Sequence, residues 1–154
     1  MKIVLADLTR LDFAAATFDV VVCLNHLQHA PDVAALLAEA ARVLKPKGLL
    51  VANIVPYASY NGAFSTDGRQ PWDHLRRPEE STYTSGVILN HWHEDQYRAA
   101  FEKFFQIEQW HTEQDERAQT QLTPALRREL AGYDEAELTR KQIIAVARSV
   151  ASSQ

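Results

Sequence analysis

The stretch from Thr17 to Val55 constrains the fold of this chain most, because it alternates between two kinds of hydrophobic pattern. Phe18 to Leu24 is apolar except for Asp19 and contains three consecutive valines, a composition typical of a strand that is covered on both faces. Leu49 to Val55 is a second apolar run of the same kind. The two runs predict two buried strands.

Between the two runs, apolar residues recur with the period of an α-helix, at positions 33, 36, 37, 40 and 44. Asp32 is the expected N-cap, because its short carboxylate can accept hydrogen bonds from the first turn. Lys45 suits the negative end of the helix dipole, Pro46 cannot continue the helix, and Gly48 permits a tight return. The order strand, helix, strand predicts a right-handed βαβ crossover with parallel strands, the unit of a doubly wound α/β sheet.

Three motifs in this part of the chain carry a resemblance to a known enzyme family. They are Ala6-Asp7-Leu8 with Leu11-Asp12-Phe13, then Thr17-Phe18-Asp19-Val20-Val21 followed by Asn25-His26-Leu27-Gln28-His29, and finally Glu39-Ala40-Ala41-Arg42-Val43-Leu44-Lys45-Pro46-Lys47-Gly48. In this order and spacing they resemble the middle of class I S-adenosylmethionine-dependent methyltransferases, most closely the small-molecule type called type 11.

The resemblance implies both a fold and a function. The expected fold is α/β, a doubly wound Rossmann-like sheet that is mostly parallel and ends in an antiparallel pair of strands. The expected function is methyl transfer from S-adenosylmethionine to a small-molecule acceptor. Because the sulfonium leaving group is already activated, such a protein mainly aligns donor and acceptor and excludes water. The family therefore has no obligatory catalytic residue, and the catalytic residues stay unknown.

The resemblance also assigns residues to the two sides of the expected site. The cofactor side comprises Asp7, Leu8, Asn25 and His26. The acceptor side comprises His29, Tyr57, Tyr60 and His91. Asp7 has an equally weighted alternative, a turn aspartate that hydrogen-bonds its own backbone.

The histidines His26 and His29 are three residues apart and could meet on one turn. A two-histidine metal site needs a third ligand and an open position, and no HExxH or paired-cysteine pattern supplies them. A general base is a second possibility, since imidazole titrates near neutral pH. The sequence favours turn and pocket-wall residues, with no metal.

The Gly-rich loop that holds the methionine and ribose of the cofactor in this family is missing. The five glycines are scattered singly at positions 48, 62, 68, 86 and 132, whereas close approach of backbone to a ligand before a helix calls for clustered glycines. Residues 1–150 are therefore expected to form a truncated, partial methyltransferase domain from the third strand onward, and residues 151–154 a frayed tail. Another polypeptide or a second copy would have to supply the missing cradle, unless the reading frame starts late and the Gly-rich half is encoded upstream.

Two further functions compete with methyl transfer. One is a non-catalytic methyltransferase remnant or interaction module. Ile3-Val4-Leu5 begins a strand almost at the first residue, and an open apolar edge there would invite a homodimer or a partner chain. The other is a Rossmann-type oxidoreductase, which would need the same missing loop.

Composition excludes several classes of protein. A length of 154 residues and 46% hydrophobic residues suit one globular domain. The formal charge of −4 argues against a nucleic-acid binder. Cys23 is the only cysteine, so no intrachain disulfide can form, and it is expected to be a small core residue. Without a membrane-length apolar run or a signal peptide, the chain is expected to be cytoplasmic.

The C-terminal two-thirds predicts a loop and several short elements. The segment from Pro56 to Gly86, rich in aromatic residues, is a candidate acceptor lid or a loop anchored to the core. A helix is expected over 94–103, a strand over 105–110 and a closing strand over 142–147. Thr123 and Asp134 are expected to cap two short helices.

Overall fold

Strands and helices alternate along the computed structural model, which describes residues 6–60, 62, 71–76 and 89–150. In chain order the elements are β1 (Phe18–Leu24), a short 3₁₀ turn (Leu27–His29), α1 (Val33–Val43), β2 (Leu44–Ile54), α2 (Asp73–Arg76), α3 (Glu94–Glu102), β3 (Phe105–Gln114), α4 (Glu116–Gln121), α5 (Pro124–Glu129), α6 (Glu135–Leu138) and β4 (Arg140–Ser149).

The strands form one four-stranded sheet in the order β1-β2-β4-β3. β1 and β2 are parallel, and β4 is antiparallel to both β2 and β3. The predicted α/β fold is confirmed, including the antiparallel C-terminal pair, and the last strand, β4, lies inside the sheet. The described sheet is mixed, with one parallel and two antiparallel pairs. Its topology brings the carboxyl ends of β1, β2 and β3 and the first residues of β4 to the same end of the sheet.

The predicted βαβ unit is present as β1, α1 and β2. Asp32 caps α1, since its Oδ1 accepts a hydrogen bond of 2.9 Å from the backbone N–H of Ala35. One face of α1 packs on the sheet beside α3, and the two helices cover the buried side of β2 and β4. The core cluster formed there contains, among others, Leu37, Leu50, Ile54, Phe101 and Ile143.

The outer face of β1 corrects the prediction of a strand covered on both sides. Val21 and Cys23 pack against the core, but Val20, Val22 and Leu24 are 48%, 58% and 63% exposed. Both described helices that pack on this part of the sheet, α1 and α3, lie on the other face. A continuous apolar run is therefore compatible with a strand covered on one face as well as with a strand covered on both faces.

The other predicted elements agree with the structure, with longer strands. Helix α3 begins at Glu94, and β3 and β4 each extend beyond the predicted runs. Thr123 and Asp134 cap α5 and α6 by accepting from the N–H groups of Leu126 and Ala136. The predicted strand at residues 3–5, most of the loop between Pro56 and Gly86, and the tail 151–154 lie outside the described residues.

Lys47 adopts a left-handed backbone conformation, with φ of 64°. This conformation strains an L-residue that has a Cβ by about 1–2 kcal/mol, while glycine loses an extra ~0.5–1 kcal/mol of conformational entropy on folding. We expect Lys47→Gly to raise the free energy of unfolding by about 0.5–1 kcal/mol, measured by urea denaturation.

Gly48 supplies the control for this prediction. A Cβ at Gly48 would lie 2.9 Å from the Lys45 carbonyl oxygen, so Gly48→Ala should lower the free energy of unfolding. A neutral or destabilising Lys47→Gly would contradict the assignment of strain to Lys47.

Candidate functional site

Two cavities flank the carboxyl end of β1. The first, called here the polar cavity, has a volume of about 380 Å³ and is lined by Asn25, Gln28, His29, Val55, Ser59, Tyr60, Asp115, Arg117, Arg140, Lys141 and Gln142. The second, the apolar groove, has a volume of about 300 Å³ and is lined by Leu8, Leu11, Val21, Val22, Cys23, Leu24, His26, Leu36 and Ala40. The consecutive residues Asn25 and His26 thus line different cavities.

The sheet topology builds the polar cavity from four separate chain segments. Its lining residues follow β1, β2 and β3 or begin β4. Open α/β sheets bind ligands at this end of the sheet, outside the carboxyl ends of their strands. Asn25, the first residue after β1, has φ of 51°, a left-handed conformation that asparagine tolerates. Its N–H still donates to the Asn53 carbonyl at 3.0 Å.

Asn90 holds the 3₁₀ turn that carries Gln28 and His29. Its side-chain amide donates to the carbonyls of Leu27 and Ala30 at 2.7 and 3.0 Å, and its backbone N–H donates to the Gln28 carbonyl at 2.9 Å. The Tyr97 hydroxyl in turn donates to Asn90 Oδ1 at 2.5 Å. Burial raises the pKa of Tyr97 well above its usual range, so this hydroxyl remains a donor. One wall of the polar cavity is therefore fixed through a single asparagine.

Charged residues of the polar cavity are anchored by ion pairs. Arg117 Nη2 lies 3.0 Å from Asp115 Oδ2, and the Arg117 hydrogen bond is the main cause that lowers the pKa of Asp115. Lys141 Nζ lies 2.6 Å from Glu113 Oε1. Arg140, with a side chain only 8% exposed, has Nη1 at 2.7 Å from Glu94 Oε2. Three cations and one carboxylate therefore line this cavity.

Three buried side chains of the polar cavity have polar atoms that make no hydrogen bond in the structure. They are Gln28 (Oε1), Ser59 (Oγ) and Arg140 (Nε and Nη1). Their residues are 1%, 2% and 7% exposed. The Arg140 Nη1 contact with Glu94 is close enough for an ion pair but lacks hydrogen-bond geometry. Native proteins leave few such groups unpaired, so each one calls for a physical explanation.

The predicted cofactor residues are divided between the two cavities. Leu8 and His26 line the apolar groove, whereas Asn25 lines the polar cavity. Asp7 is exposed, and its Oδ1 accepts from the backbone N–H and the hydroxyl of Thr9 at 2.8 and 2.7 Å. Those two bonds lower the pKa of Asp7. Asp7 thus makes the hydrogen bonds of a turn aspartate, which was the alternative to a cofactor-binding role.

The predicted acceptor residues also separate into two pairs. His29 and Tyr60 line the polar cavity. Tyr57 and His91 stack with ring centroids 3.8 Å apart, and Tyr57 is buried, with its hydroxyl donating to the His74 carbonyl at 3.3 Å. Tyr57 therefore anchors the start of the loop to the rest of the chain.

The spacing of the histidines does not bring them together. His26 and His29 line different cavities. His91 stacks on Tyr57, while His93 caps α3 and its Nδ1 lies 2.9 Å from Glu137 Oε2. Within the described ranges, no group of three or more histidine, cysteine or acidic side chains is placed to hold a metal ion.

Cys23 behaves as the small core residue that the sequence predicts. It packs against the main hydrophobic cluster, and burial raises the pKa of its thiol to about 11. A thiol of this kind stays protonated near neutral pH and is a poor nucleophile.

Sequence reasoning missed several residues of the polar cavity, above all Gln28, Ser59, Asp115, Arg117 and Arg140. Gln28 lies inside a recognised motif but was not assigned a role. Arg140 could have been found only by noting that the first residues of the inserted strand lie at the end of the sheet where β1 and β2 end.

In the part of the chain that the structure describes, no helix is long and apolar enough to cross a membrane.

Comparisons with known proteins point to one family. Residues 1–52 match the family model described as "Methyltransferase domain". In fold, the chain is similar to a chain of the Haloferax volcanii complex between the Trm112 methyltransferase activator and a methyltransferase, with 17% identity, a TM-score of 0.59, and coverage of 97% of this chain and 61% of that one. A search of curated protein sequences finds no match.

Two further solved structures share this fold. An S-adenosylmethionine-dependent methyltransferase from Mesorhizobium loti has 21% identity and a TM-score of 0.58, covering 93% of this chain and 67% of that one. A methyltransferase-like protein from Bacillus halodurans has 20% identity and a TM-score of 0.57, covering 95% and 70%.

The chain resembles class I S-adenosylmethionine-dependent methyltransferases. The family match covers the predicted motifs up to β2, and the structural similarity extends over nearly the whole chain. Together they show a methyltransferase-like fold. The chain spans 61% of the length of the Haloferax chain.

The described residues fit one end of the cofactor better than the other. The apolar groove, walled by aliphatic side chains and His26, suits an adenine ring. The polar side chains expected on the cofactor side do not surround it, because Asp7 is turned to Thr9 and Asn25 lines the other cavity. The described part of the chain therefore fits S-adenosylmethionine only in part.

Proposed function

We propose that this chain takes part in S-adenosylmethionine-dependent methyl transfer to a small-molecule acceptor. The observation that carries the proposal is the placement of two cavities on either side of the carboxyl end of β1, with Asn25 lining one and His26 the other. A methyl donor and its acceptor must lie next to each other and in line. The apolar groove is the donor side in this proposal and the polar cavity the acceptor side.

The residues of this chain contribute binding and alignment. Leu8 and His26 form walls for the adenine end of the cofactor, and Asn25 stands between donor and acceptor. His29 and Tyr60 face the acceptor in the polar cavity. Bound S-adenosylmethionine supplies the activated methyl group, so the protein's task is to position the reactants and keep water out.

The groups for the ribose and methionine come from elsewhere in this proposal, from a second copy of the chain, from another polypeptide or from a Gly-rich segment encoded upstream. The exposed outer face of β1, formed by Val20, Val22 and Leu24, supports such an assembly. The Haloferax relative is a methyltransferase in complex with an activator protein. The second candidate function, a non-catalytic module that dimerises through β1, rests on the same exposed face.

Nuclear magnetic resonance with S-adenosylhomocysteine tests the donor side. We expect the backbone amides of Leu8, His26 and neighbouring residues of the apolar groove to shift on titration, because the adenine ring enters there. The amide of His93, which lies outside both cavities, is the internal control. Shifts spread evenly over the surface, or none in a folded sample, would exclude the apolar groove as the donor site.

A further inference from the structure

We propose that the polar cavity binds a carboxylate group of the methyl acceptor and that Arg140 is the residue that anchors it. The inference rests on the proposed function in one respect, that this cavity is the acceptor side. It adds the chemical class of the acceptor, a small organic anion. Three features of the cavity carry it: a buried cation with an unpaired donor, two further unpaired buried groups, and the size of the space.

Arg140 is the strongest of these features. Its side chain is only 8% exposed, it lines the polar cavity, and it remains charged because a guanidinium does not lose its proton in proteins. Glu94 forms an ion pair with Arg140 on the side away from the polar cavity. There, Glu94 and Arg140 both line a separate cavity of about 500 Å³. Arg140 Nε makes no hydrogen bond, and Nη1 faces Glu94 without hydrogen-bond geometry. A buried charged donor without a hydrogen-bond partner suits a carboxylate, which would accept a charge-assisted hydrogen bond from it.

Gln28 and Ser59 line the same cavity as Arg140, and each also has a buried polar atom without a hydrogen bond. Gln28 Oε1 and Ser59 Oγ are buried without a hydrogen bond, although buried polar side chains in native proteins are nearly always paired. Three unpaired buried side chains from three different chain segments converge on one cavity. A bound ligand with acceptor oxygens would satisfy the Ser59 hydroxyl and the Arg140 Nε–H together, and Gln28 can present its amide N–H₂ after a simple side-chain flip.

The three cations of the cavity wall are each paired with a carboxylate: Arg117 with Asp115, Arg140 with Glu94 and Lys141 with Glu113. The preference for an anion therefore rests on the unpaired donors of Arg140 and Ser59 rather than on net charge. Asp115 is already committed, because its oxygens accept from Arg117 and cap α4. A volume of about 380 Å³ accommodates a small organic acid and leaves room for the atom that receives the methyl group.

The test compares binding of 4-hydroxybenzoate with its neutral analogue 4-hydroxybenzamide, followed by nuclear magnetic resonance with and without S-adenosylhomocysteine. We expect the wild-type chain to bind the carboxylate and to bind the amide at least ~10-fold more weakly, since a charge-assisted hydrogen bond is lost. Arg140→Gln should weaken binding of 4-hydroxybenzoate by about 10- to 100-fold. Arg148→Gln is the matched control: it removes the same charge from the same strand, outside the cavity, and should leave binding unchanged.

A second variant guards against loss of folding. Arg140→Lys keeps the positive charge opposite Glu94 but lacks the Nε–H donor, so it should fold and still bind 4-hydroxybenzoate less tightly than wild type. Equal binding of 4-hydroxybenzoate by wild type, Arg140→Lys and Arg140→Gln would overturn the proposal. So would no binding at about 10 mM ligand, equal binding of the amide, or tighter binding of inorganic phosphate than of the carboxylate.

The outcome is separable from that of the proposed function. Arg140-dependent binding of 4-hydroxybenzoate by a chain that does not bind S-adenosylhomocysteine would establish the anion site and reject methyl transfer by this chain on its own. Binding of S-adenosylhomocysteine without any carboxylate binding would support methyl transfer and reject this acceptor class.

Discussion

Asn90→Ala is expected to lower the free energy of unfolding by about 3 kcal/mol, because it removes several buried hydrogen bonds at once. Two carbonyls, those of Leu27 and Ala30, lose the donor that the asparagine amide provides. The buried Tyr97 hydroxyl loses its acceptor. Each buried polar group left without a partner costs about 1–3 kcal/mol. The loss is measured by urea denaturation followed by circular dichroism.

Tyr97→Phe provides the graded comparison for this prediction. It removes only the hydroxyl that donates to Asn90 Oδ1, so it should cost about 1 kcal/mol. Since Asn90 fixes the turn that carries Gln28 and His29, Asn90→Ala should also shift the amide resonances of that turn. If Asn90→Ala costs no more than Tyr97→Phe, the asparagine does not hold this wall of the polar cavity.

Val22→Lys is expected to weaken self-association of the chain by at least ~100-fold. Val22 is 58% exposed at the centre of the outer face of β1, and burial of a valine side chain contributes ~1.5–3 kcal/mol. In a symmetric dimer the substitution occurs twice, so the two losses add, and a change of 2.8 kcal/mol already corresponds to ~100-fold. Sedimentation equilibrium over a range of concentrations measures the effect.

Val150→Lys is the matched control for this substitution. Val150 is 53% exposed and follows β4, away from the outer face of β1. It should therefore leave self-association unchanged. Equal weakening by both substitutions would indicate a nonspecific effect of charge, and no weakening by Val22→Lys would exclude β1 as the interface.

The sequence predicts the fold of this chain well wherever the signal is local. The period change after Pro31 places α1, and the caps Asp32, Thr123 and Asp134 are correct because a cap depends only on its own turn. The exposure of Val22 could not be predicted, since a run of valines does not reveal what packs on each face.

The candidate site is much less accessible to sequence reasoning than the fold. Histidines close in sequence, such as His26 and His29, could have met on one turn, but the structure places them in different cavities. Ser59 and Arg140 are 81 positions apart in the chain and share a wall only because β4 inserts beside β2. Their missing hydrogen-bond partners are a property of the folded structure alone.

Titration calorimetry of the full chain with S-adenosylhomocysteine, with light scattering on the same sample, tests the central proposal most directly. The account predicts saturable binding of one ligand per chain with a dissociation constant in the micromolar range, in a sample whose mass is that of a dimer or larger assembly. The cradle for ribose and methionine would then come from the partner. A folded sample that releases no heat at millimolar S-adenosylhomocysteine would contradict methyl transfer by this chain in any assembly that it forms by itself.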